Sequence, residues 1–75
     1  AKAGQTDRTI AHFDRTIEVQ ADYCYAYYHK ARCLLDDDRT EEARSTLEAG
    51  LDQARESGDI HAEGEIEALL GEILS

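Results

Sequence analysis

Apolar residues recur three and four positions apart in four stretches of the chain, with short polar breaks between them. Ile10, Phe13 and Ile17 form the first set, and Cys24, Tyr27, Ala31 and Leu34 the second. Ala43, Leu47, Leu51 and Ala54 form the third, and Ala62, Ile66, Leu69, Leu70 and Ile73 the fourth. Such spacing places each set on one side of an α-helix. It predicts an all-α chain of four amphipathic helices, at roughly 6–20, 23–36, 40–56 and 60–74. The connections are two to four residues long, so consecutive helices must run antiparallel.

The breaks carry helix punctuation. Thr6 or Asp7 is expected to accept the first free N–H groups of helix one, and Asp22 those of helix two. Asp38 and Glu41, in "DRTE", have the spacing of a reciprocal capping box for helix three. In "SGD", residues 57–59, a glycine is placed to end helix three and an aspartate to start helix four. No strand pattern, low-complexity tract or flexible linker interrupts the series.

Helices one and three also match each other. Thr9 pairs with Ala43, Phe13 with Leu47, Thr16 with Gly50 and Ile17 with Leu51, each at an offset of 34 residues. Small turn residues precede both. Tyr27, Ala31 and Leu34, followed by Ala43, Leu47 and Gly50, alternate large and small side chains across a helix pair. A 34-residue helix–turn–helix period with this size pattern resembles the tetratricopeptide repeat. "RTEEA", residues 39–43, resembles that family's turn into its second helix. Lys30, where the family usually has a core leucine, and Ala31, where it usually has glycine, depart from the pattern. Leu70-Gly71 looks like the start of a further unit, 40 residues beyond Ala31, as in a variant with longer helices.

The resemblance implies an all-α fold of antiparallel helix pairs stacked as a short right-handed solenoid. On this reading 1–22 is a half repeat, 23–57 a full one and 58–75 another half. It also implies an interaction module rather than an enzyme. The face carrying Tyr25, Tyr28, Arg32 and Leu35 would line a concave groove for a partner peptide or helix, with Glu65, Ala68 and Glu72 at the matching places of helix four. The two tyrosines could equally pack against a neighbouring helix. Family members that clamp a C-terminal carboxylate use several basic and amide side chains, whereas this groove has Arg32 alone, so that partner is not expected.

Composition narrows the partner. Seventeen acids oppose eight bases, giving a net charge of −9, and six of the bases are arginine. That average repels a phosphate backbone, so no nucleic-acid partner is expected; it favours basic proteins and solubility at high salt. No stretch reaches the roughly 18 apolar residues of a membrane span, so no membrane partner is expected. No leader-like segment is present. The lack of methionine, even at position 1, suggests a fragment, a processed product or the ordered part of something longer.

The segment "DYCYAYYHKARCLL", residues 22–35, looks chemical at first sight. Cys24 and Cys33 are nine apart, roughly half a helical turn out of phase, so they cannot bridge. Two unpaired cysteines favour a reducing, cytoplasmic compartment. His29, Cys33 and Asp36 share a face but lack a fourth ligand or a second cysteine pair, so neither metal nor cofactor is expected. Cysteine catalysis would need a base and an oxyanion site in a formed pocket, so no catalytic residue is assigned. The acids at 36–38 lack the spaced pattern of a calcium loop.

A stack of half units leaves its first and last helices short of a neighbour. Ile10, Phe13 and Ile17 could therefore meet Ile66, Leu70 and Ile73 of a second copy, head to tail, giving a homo-oligomer or an open filament.

Overall fold

The computed structural model describes residues 2–74. Four helices follow one another: α1 (Lys2–Val19), α2 (Cys24–Asp36), α3 (Thr40–Ser57) and α4 (Ile60–Leu74). Among the described residues there is no strand. Helix α2 is the hub. It packs most extensively on α3, also on α1, and touches α4, while α3 packs on α4 and α1 reaches only α2.

The core follows the large–small alternation of the sequence. Cys24, Ala31, Leu34, Ala43, Leu47, Ala54, Ala62, Ile66 and Leu69 form one buried cluster, to which α1 contributes Ile10. Gly50 is buried where α3 crosses α2. A Cβ there would lie 2.6 Å from the Cβ of Tyr27, so the two backbones approach as closely as they do because residue 50 has no side chain. Tyr27 is itself buried, and its hydroxyl donates to the Ala21 carbonyl oxygen at 3.4 Å.

Lys30, at the position where a core leucine was the expected type, is half-buried and reaches Asp14 of α1 at 2.6 Å. The ion pair and the aliphatic stem replace an apolar contact between α1 and α2. Arg39 is the second tie to α1. Its Nη1 donates to Asp7 at 3.1 Å, and its Nε and Nη2 grip both oxygens of Glu42 at 3.1 and 2.8 Å. This fork holds the Glu42 carboxyl below its ordinary range, first through hydrogen bonding to Arg39 and then through its charge.

Three of the expected caps are corrected. Helix α1 begins at Lys2, four residues before Thr6, and the Asp7 carboxylate serves Arg39 instead. Tyr23, not Asp22, precedes α2, and it gives no side-chain cap. Asp38 does not cap α3. It ends α2: its backbone is left-handed, with φ of 60°, its N–H bonds the Leu35 carbonyl, and the Arg39 N–H bonds that of Leu34. Gly58 closes α3 in the same way, with φ of 74°, and the Asp59 N–H reaches the Ala54 carbonyl at 2.8 Å. The two turns are thus the same Schellman geometry, built once on glycine and once on an aspartate that tolerates the left-handed region. Asp59 starts α4 as expected, accepting from the Ala62 N–H at 3.1 Å.

Candidate interaction groove

Helices α2 and α4 run side by side with the same sense, and their adjoining faces make a shallow groove. At the C-terminal end of both helices lies a depression of about 370 Å³. Its walls are Arg32, Leu35 and Asp36 from α2, Thr40 from the start of α3, and Leu69, Glu72 and Ile73 from α4. Three of the six groove residues expected from the sequence, Arg32, Leu35 and Glu72, therefore meet at one place. Leu35 and Ile73 are half-buried against the core, and Leu69 belongs to it, giving the depression an apolar floor under a charged rim.

The N-terminal end of the groove is aromatic and acidic. Tyr25 is half-buried against the core, its ring centroid 6.3 Å from that of His61. His61 lies 3.4 Å from Glu65, the expected groove acid one turn along α4. The Tyr25 hydroxyl is pushed above its ordinary pKa, by desolvation and then by the charges of Glu65 and Asp59. Tyr28 lies between the two ends of the groove along α2, half-buried, with its ring edge-on to His29 at 5.7 Å. Each tyrosine packs on the core and keeps part of its surface in water.

Sequence reasoning did not place His61, Thr40, Asp36, Leu69 or Ile73 at the groove. Leu69 was visible only as a member of a core stripe, and Ile73 as a stripe member and a candidate end-to-end contact; their part in the depression depends on how α4 is rotated against α2. A second depression, lined by Glu41, Glu42, Ser45 and Thr46, lies on one face of α3.

His29 does not face Cys33 as a ligand partner. Its ring stacks on Phe13 of α1, with centroids 5.9 Å apart and planes 21° from parallel. Cys33 is half-buried, its thiol pushed up by burial and then by Asp36. Among the described residues no three His, Cys, Asp or Glu side chains group to hold a metal ion, and no helix is long and apolar enough to cross a membrane.

The end-to-end set needs correction. Ile66 is 0% exposed and Ile10 is also buried, both within their own chain's core, so neither can meet a second copy. Leu70 and Ile73 are half-buried on the side of α4 turned to the core. The open side of α4 instead carries Ile60, Gly64, Glu67, Gly71 and Leu74. Ile60 is 81% and Leu74 67% exposed, and nothing lies within 4 Å of where a Cβ of either glycine would be. On α1, Phe13 and Ile17 are half-buried but stand outside the core cluster.

Fold and groove define an all-α protein of stacked helix pairs, a class built to present a surface. The sequence profile of the tetratricopeptide repeat matches residues 1–63. The chain belongs to the tetratricopeptide repeat family. It is similar to a tetratricopeptide repeat domain protein from Salinibacter ruber whose solution NMR structure superposes with a TM-score of 0.85. The two are 29% identical, over 96% of this chain and 73% of that one. No curated protein matches the chain.

Proposed function

We propose that this chain holds a segment of a partner polypeptide in the groove between α2 and α4. Membership of the family supports a protein–protein interaction module in general. The observation that carries the finer reading is the depression in which Arg32, Leu35 and Glu72 converge, continued by half-buried Tyr25 and Tyr28. Tyrosine and arginine are the residue types enriched where binding energy concentrates. The unit spanning 23–57 supplies one wall, and the half units 1–22 and 58–75 flank it. No catalytic residue, metal or cofactor enters the proposal. Affinity capture from the source cell with the intact chain and with the Tyr28→Ala and Arg32→Ala variants tests it. Partners retained by the native chain should be lost from both; retention of every partner by both variants sinks the reading.

A second reading is head-to-tail self-assembly. It draws on where large apolar side chains are exposed among the described residues: Val19 and Tyr23 at one end of the stack, Ile60 and Leu74 on the open side of α4 at the other. Sedimentation equilibrium across a concentration series separates the two. Mass that climbs without a fixed stop favours assembly, and a constant monomer removes it.

A further inference from the structure

The groove is chemically two-ended, which restricts what it can hold. Helix α4 carries no Lys or Arg. Of its acids, Glu63 is engaged by Arg55 at 3.1 Å, whereas Glu65 lies 3.4 Å from the imidazole of His61, a partner with charge to offer only when protonated. Tyr25, its ring centroid 6.3 Å from that of His61, shares one end of the groove with Glu65, so that end offers a carboxylate and an aromatic ring together. At the other end Arg32 stands above the apolar floor of Leu35, Leu69 and Ile73. Lys30, the other base of α2, is tied to Asp14 on the α1 side and contributes nothing here.

A cation seated next to Arg32 would be repelled, whereas one beside Tyr25 and Glu65 gains a carboxylate and a ring face. An aliphatic side chain has the reverse preference, since the floor that can cover it lies at the Arg32 end. Tyr25 and Arg32 are seven residues apart, which is about 10 Å along a helix rising 1.5 Å per residue. A peptide in the polyproline II form covers that distance in about three residues, at about 3.1 Å each, and with about three residues per turn it brings the first and fourth side chains to the same face.

Resting on the groove reading above, we propose that the occupant is a partner segment in the polyproline II form with a lysine or arginine against Tyr25 and Glu65. Three residues away it carries an aliphatic or aromatic side chain, set into the depression of Leu35, Leu69 and Ile73. The occupant is thus defined by one charge and one apolar anchor at a fixed spacing.

The test is selection from a random 12-residue peptide library on the intact 75-residue chain, followed by titration of the best peptide. The enriched pool should hold Lys or Arg three positions from a Leu, Ile, Val or Phe. Glu65→Gln should weaken the best peptide roughly 2- to 5-fold, the scale of one exposed cation contact. Leu35→Asp should weaken it more than tenfold, with circular dichroism confirming that the helices remain. Replacing the peptide's cation with glutamate should abolish binding at low salt. Three results overturn the proposal: an empty pool, a pool without cations, or a cation–apolar spacing of seven, which marks a helical occupant. If the best peptide lacks a cation but is lost in Tyr28→Ala and Arg32→Ala, the groove stands and this inference alone fails. If no groove variant affects it, both fail.

Discussion

Gly50→Ala is the substitution on which the packing argument stands most exposed. In a helix interior alanine is worth about 1 kcal/mol over glycine, so propensity alone predicts stabilisation. At residue 50 the new Cβ would meet Tyr27 Cβ at 2.6 Å, Tyr27 Cγ at 3.0 Å and Ile66 Cδ1 at 3.3 Å. The nearest obstacle is the first side-chain atom of Tyr27, fixed to its backbone, so no rotamer change relieves it. Helices α2 and α3 would have to separate, and Tyr27 and Ile66 would lose contacts. Overpacking of this kind costs about 1–3 kcal/mol, and a clash with an atom that cannot swing away belongs in the upper part of that range. The net expectation is destabilisation by about 1–2 kcal/mol once propensity is subtracted. In a domain of this size that lowers the melting temperature by about 5–15 °C. The same change at Gly64 or Gly71 meets nothing within 4 Å and should raise stability by up to about 1 kcal/mol each. Urea unfolding followed by helical circular dichroism, with a common slope for all variants, reads these differences directly. A Gly50→Ala midpoint at or above the native one would refute the close approach of α2 and α3.

Asp38→Gly should stabilise by about 0.5–1 kcal/mol in the same unfolding assay, because the residue ends α2 in the left-handed region that glycine favours. Amide hydrogen exchange should release α1 first, since α2 is the one helix it packs on, Arg39 adds a single exposed ion pair, and Phe13 and Ile17 lie outside the core; equal protection of α1 and α3 would contradict this. Glu42 titrates below its ordinary value of 4.5 when folded, so its pairing with Arg39 adds stability above that pH and loses it as pH falls through the lower folded value. Glu42→Gln should therefore flatten the acid limb of a stability–pH curve below pH 4.5 and leave the neutral limb parallel to the native one. With a thiol reagent near pH 8, Cys33 should react more slowly than a free thiol but well before Cys24, which is 1% exposed and should react only on unfolding.

The helices were legible because their apolar spacing is redundant: losing any one of Ala43, Leu47, Leu51 or Ala54 would leave the period of α3 intact. Turn chemistry was less so. Asp38 has the spacing of a helix-starting cap, yet the chain uses it to finish the previous helix, since α2 needs a left-handed residue there and no glycine is available. Sequence spacing cannot separate those roles, because both place an aspartate just before a helix. Groove residues on α2 were readable as the face left over once the core stripe is assigned. Their counterparts on α4 were harder. Ile66, Leu69 and Ile73 form one continuous stripe, and only the rotation of α4 against its neighbours sends Ile66 into the core and Ile73 to the floor of the depression.

That rotation also bears on which surface the protein uses. Where α3 meets α2, the interface is made of small residues against large ones, Gly50 and Ala43 against Tyr27 and Leu34. The open side of α4 offers small residues too, Gly64 and Gly71, but with Glu67 between them and Ile60 and Leu74 at the margins. A helix docking there as closely as α3 docks on α2 would bury Glu67, and a buried carboxylate without a partner is costly. Phe13 and Ile17 of a second copy supply no cation. Arg15 of the same helix is the nearest base in sequence that could, so close assembly requires Arg15 to reach Glu67. The groove makes no such demand, since its charges lie at the rim and its apolar floor is already formed. Binding in the groove, as proposed, asks for no such pairing, and that difference in cost is why the groove is the first reading and end-to-end assembly the second.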